Sequence, residues 1–171
     1  MITSSGPNPK IATAELCKAD AVTGRDEKYR AKYLAAVQPH VDGEARAVGM
    51  FSRPGSMGAA LMSQASGLAA TLALRSGKKK AGGLPLNVIV AATDDSVYVF
   101  DYKPKGTGIK IKDTVAVWDR AAVRVTAAQA GTLADRLVVE LGGDEAIELD
   151  SNKMPGFKSA FNEPLIRLLS G

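Results

Sequence analysis

Cysteine is almost absent from this chain of 171 residues: Cys17 stands alone, so no disulfide can close within it. A reducing, cytoplasmic setting is therefore expected. Histidine is equally scarce. His40 is the only one, it shares no ligand spacing with Cys17, and a zinc site takes about four ligands, so no metal is expected. Spacing alone leaves a Cys17–His40 nucleophilic pair open, but only Lys18 beside the thiol would favour its ionisation. Aromatic residues make up 5% of the chain, which leaves Val, Ile, Leu and Ala to build the core. Two glycine-rich stretches, Lys105-Gly106-Thr107-Gly108 and Ser76-Gly77-Lys78-Lys79-Lys80, lack the order of a phosphate-binding loop. Met1–Lys10 has no basic stretch followed by an apolar run, so no secretory signal is expected. With no constellation of acid, base, nucleophile or metal ligands, the expectation is a protein that is not an enzyme and carries no cofactor. A net charge of +4 is too mild for a dedicated nucleic-acid binder.

Residues 1–24 read as a flexible N-terminal tail able to form a short helix over 11–22, with Gly24 breaking the pattern. A helix is predicted over 25–38. Tyr29, Tyr33, Ala36 and Val37 recur at helical spacing, Asp26 and Glu27 sit where the helix dipole favours acids, and Pro39 stops the run. Glu44–Ser52 is a first strand. The Ala/Gly-rich stretch that follows carries Met57, Leu61, Ala65, Leu68 and Leu72 as a helical stripe. It predicts one inserted helix over 56–75 and then a flexible basic linker. Ser63, Gln64, Ser66 and Thr71 interrupt its apolar run, which argues against a membrane span.

From Leu84 onward the pattern is β. Leu86–Ala92 and Ser96–Tyr102 flank the turn residues Thr93-Asp94-Asp95. Further strands run through Ile109–Trp118, Ala121–Ala127, Arg136–Leu141 and Ile147–Asp150. Val123, Val125, Leu137, Val139, Leu141, Ile147 and Leu149 are expected inward. Trp118 is expected to pack partly into the core. A C-terminal helix over 155–169 bears Phe157, Phe161, Leu165, Leu168 and Leu169, with a kink or restart at Asn162 because Pro164 removes a backbone donor.

The segments Asn87–Tyr102 (NVIVAATDDSVYVFDY) and Val117–Val125 (VWDRAAVRV), with Gly43-Glu44 entering a strand behind a helix, resemble bacterial, in particular actinobacterial, pleckstrin-homology-like domains of unassigned function. The resemblance covers roughly residues 32–169. It implies an α+β fold: a seven-stranded antiparallel, partly open barrel closed by a C-terminal helix, with an N-terminal helix and the inserted Ala/Gly-rich helix, all within residues 25–171. It also implies a non-catalytic binding or scaffolding module for a protein partner or an anionic membrane surface.

Lys103, Lys105, Lys110 and Lys112 surround one predicted hairpin loop and are the candidate anionic-ligand site. Met57, Leu61, Leu68 and Leu72 are the candidate interaction helix. Through them the chain would serve as a structural oligomerisation protein or attach to the membrane periphery. Asp144, Glu145, Glu148 and Asp150 lack calcium-loop spacing and are expected to form a solvated face.

Overall fold

The computed structural model describes residues 24–56, 75–153 and 161–171. Seven strands form one antiparallel sheet: β1 (Ala47–Ser52), β2 (Asn87–Ala92), β3 (Ser96–Lys105), β4 (Gly108–Asp119), β5 (Arg124–Gln129), β6 (Ala134–Glu140) and β7 (Ala146–Asn152). Their order across the sheet is β4-β3-β2-β1-β7-β6-β5. Residues 24–37 form helix α1, residues 75–80 are helical (α2), and Glu163–Ser170 form helix α3. The α+β class and the seven strands agree with the sequence reading. The sheet is not closed into a barrel: β4 and β5 remain its two edges, although only residues 120–123 link them along the chain.

Strand alternation divides the apolar residues between two faces. Ala47, Phe51, Val88, Val90, Val97 and Val99 join Val123, Val125, Leu137, Val139, Ile147 and Leu149 in an inner core. Leu165 and Leu169 of α3 close this core. Residues from both halves of the sheet thus meet in one cluster, which requires the sheet to bend around it. Little space is left inside, since the residual cavity between Trp118, Val125 and Leu165 measures about 10 Å³. Among the described residues the inner core is packed and holds no room for a ligand.

On the other face, Val48, Ile89, Ala91, Tyr98, Phe100, Ile109 and Ile111 form an outer cluster covered by Tyr33 and Val37 of α1. This second cover explains the unbroken apolar runs of β2 and β3. From Val88 to Ala92 and from Val97 to Phe100 every residue is buried, because both sides of these strands are packed. In β5 only Val125 is buried, and its outer side faces solvent.

Several expectations need correction. Gly24 is already helical. The first strand begins at Ala47 rather than Glu44, and Ala121–Ala127 becomes a turn followed by β5 from Arg124. The basic stretch after Arg75 is not a linker. Residues 75–80 are helical, and Ala81 and Leu84 are buried in the inner core behind them. Gly77 fits there because a Cβ would lie 2.4 Å from the Pro54 carbonyl oxygen. The expected C-terminal helix over 155–169 falls partly outside the described residues, Phe157 included; within them α3 begins at Glu163, with Asn162 at its N-cap and Pro164 in its first turn. However, Phe161 packs on the outer cluster and not on the stripe that closes the core. Asp150 is not solvated: it is 5% exposed, accepts from Arg136 Nε at 2.9 Å, and takes the Gly55 amide at 2.7 Å.

Candidate functional site

The β3–β4 hairpin extends to a two-residue turn, Gly106-Thr107, closed by the Lys105↔Gly108 pair. Gly106 has φ of 57°, the left-handed value that a type II′ hairpin demands at its first turn position and that glycine adopts without strain. The ladder then fixes the register. Tyr102 stands opposite Ile111 and Lys103 opposite Lys110. Tyr102 and Ile111 face the outer cluster under α1, so alternation turns Lys103 and Lys110 to the opposite side of the ribbon.

Two like charges directly opposite in an antiparallel ladder repel, because their Cβ atoms lie about 4.5–5.5 Å apart. Neither Lys103, Lys105 nor Lys110 has a carboxylate partner among the described residues. All three are exposed. Lys112 behaves differently. It forms an ion pair with Asp101, and that hydrogen bond raises its pKa above the ordinary lysine value. The four lysines named from the sequence are therefore brought together, but one is already neutralised by its own sheet.

A fifth lysine joins them. Lys32 of α1 donates from Nζ to Thr107 Oγ1 at the hairpin tip, 2.8 Å away. Arg25, Lys28 and Lys32 are all exposed on α1. Arg25 and Lys32 each lie 5.8 Å from the centre of the Tyr29 ring. Their spacing of three and four residues was visible in the sequence. What no periodicity announces is that α1 lies on the sheet face ending at this hairpin.

Burial also shapes the hairpin base. Tyr102 has its pKa pushed up to about 12, chiefly by burial and further by Tyr33 and Asp101. Tyr33 is raised too, by burial and by Tyr29. These phenols stay neutral, so the basic side of the ribbon is not offset by tyrosinate charge.

The remaining candidates contribute less. Met57, Leu61, Leu68 and Leu72, the proposed interaction helix, lie outside the described residues. Glu148 pairs with Lys80 at 3.2 Å and with Arg136 at 3.7 Å, which makes it part of a ladder holding α2 to β7. Trp118 packs partly against the inner core. His40 stacks edge-on against Phe100, with ring centres 6.2 Å apart. Among the described residues no group of His, Cys, Asp and Glu could hold a metal ion, and no helix is long and apolar enough to cross a membrane.

No family model, curated protein or solved structure matches the chain significantly.

Proposed function

We propose that this is a non-catalytic, pleckstrin-homology-like binding module that uses the β3–β4 hairpin to hold an anionic surface. The observation that carries the reading is the Lys103↔Lys110 pair: two unneutralised cations fixed side by side. Lys105 lies at the tip and Lys32 beside it. An anion placed against this ribbon relieves a repulsion that the free protein must bear. The strand order, with β1 paired to both β2 and β7 and a C-terminal helix over the inner core, supports the pleckstrin-homology-like assignment. The filled interior directs binding to the outside of the domain.

An anionic membrane leaflet is the surface that fits best. Each lysine near such a leaflet contributes about 1 kcal/mol, so the four free lysines give weak, salt-sensitive attachment, roughly millimolar on their own. The test is cosedimentation with phosphatidylserine vesicles at low salt. Wild-type protein should pellet with anionic vesicles and not with neutral ones, and replacing Lys32, Lys103, Lys105 and Lys110 by Ser should abolish this. A wild-type protein that ignores anionic vesicles at low salt overturns the membrane reading and favours a protein partner.

A further inference from the structure

The row of side chains that holds Lys103 and Lys110 continues across the sheet to an exposed leucine. The Arg53 amide donates to the Leu86 carbonyl at 3.0 Å, one step beyond the Ser52↔Asn87 pair, so the two chains still run side by side there. The β2–β3 register, Val88↔Asp101, extended by two residues brings Leu86 level with Lys103. Val88 points into the inner core, so alternation turns Leu86 to that side of the sheet, the side that Lys103 and Lys110 share. Leu86 stands past the end of the core and is 42% exposed.

Cations flank Leu86 on its other side as well. A Cβ on Gly77 would lie 2.4 Å from the Pro54 carbonyl oxygen and 3.7 Å from the Arg53 Cβ, which sets α2 against the end of β1. Arg53 in turn donates from Nε to the Leu84 carbonyl at 2.6 Å, so the α2 side of this rim adjoins the segment that carries Leu86. Arg75, Lys78 and Lys79 of α2 are exposed, and none has a carboxylate partner among the described residues. A single exposed leucine needs no explanation. A leucine set between two groups of unneutralised cations has the composition of a lipid interface, with charge at headgroup level and an aliphatic chain reaching the acyl boundary. We infer that Leu86 is the residue that enters an anionic bilayer, while the hairpin lysines and the α2 cations sit on the headgroups around it. The inference rests on the membrane reading of the hairpin and extends that contact to β2 and α2.

The test compares two anionic probes on the full chain: phosphatidylserine vesicles, and heparin, which carries dense charge without an apolar phase. Leu86→Ser should weaken vesicle partitioning by about three- to eightfold, the part of a leucine's transfer free energy that its exposed surface can still gain. It should leave heparin binding and the melting temperature unchanged. Leu86→Phe should partition into vesicles at least as well as wild type. Replacing Lys78 and Lys79 together by Ser should weaken binding to both probes. Vesicle partitioning that is unchanged in Leu86→Ser or in the double lysine variant, or a Leu86→Ser loss that is equal on heparin, overturns the inference while the hairpin reading stands. A wild-type protein that ignores the vesicles at low salt overturns both.

Discussion

The Asn162 side chain hydrogen-bonds both backbone groups of Met50: Oδ1 accepts from its N–H at 2.8 Å, and Nδ2 donates to its C=O at 2.7 Å. The β1–β7 ladder contains the pair Ser52↔Asp150, and continuing that register would place Asn152 opposite Met50. The Asn162 amide takes that place, and its Nδ2 also reaches Ser151 Oγ at 2.9 Å. One side chain thus stands in for a strand residue where the two halves of the sheet meet. It also marks where the chain passes from the outer cluster, at Phe161, to the inner core, at Leu165.

Replacing Asn162 by Leu should therefore cost about 2–4 kcal/mol, since it leaves buried polar groups on Met50 and Ser151 without partners. Equilibrium urea unfolding measures this. Asn162→Asp should also destabilise, because a carboxylate cannot donate to the Met50 carbonyl. A loss below about half a kcal/mol for both variants would mean that water replaces the amide freely.

Phe161 is 2% exposed and meets the Tyr33 ring edge-on, with centres 5.4 Å apart. Phe161→Ala should cost about 3–5 kcal/mol. A double-mutant cycle with Tyr33→Leu should return a coupling of about 0.5–1.5 kcal/mol. Zero coupling would place Phe161 away from α1.

These two residues show what the sequence could and could not reveal. Period-2 alternation correctly assigned the inward residues of β5, β6 and β7, where one strand face is wet. In β2 and β3 both faces are buried, so alternation vanished and the outer cluster under α1 was invisible. Phe161 lies four residues before Leu165, which suggests one helical stripe, but α3 begins only at Glu163, so Phe161 stands outside its phase. Four hairpin lysines were legible from one short segment. Lys32 was not, because it reaches the hairpin only through the packing of α1.

Alkaline pH should weaken the fold through Tyr102. Its folded-state pKa, about 12, lies above the ordinary value of 10.0, so the folded state retains a proton that the unfolded chain releases. The associated stability is fully present below pH 10 and is lost as pH rises toward 12. Tyr102→Phe should flatten the fall in stability over that window, measured by urea midpoints at successive pH values. An unchanged slope would show that Tyr102 ionises freely.

Lys103→Glu should separate stability from binding. The new carboxylate faces Lys110 in the ladder, so the fold should gain about 0.2–1 kcal/mol while affinity for anionic vesicles falls. A variant that is less stable and binds normally would remove the repelling pair from the account.

The most direct measurement is a residue-resolved one: amide signals of the labelled protein titrated with nanodiscs of anionic and of neutral lipid. The account predicts broadening with anionic lipid only, centred on residues 102–112 and on Lys32, and reversed by salt. Broadening centred on β5–β7, or equal effects from neutral lipid, would contradict it.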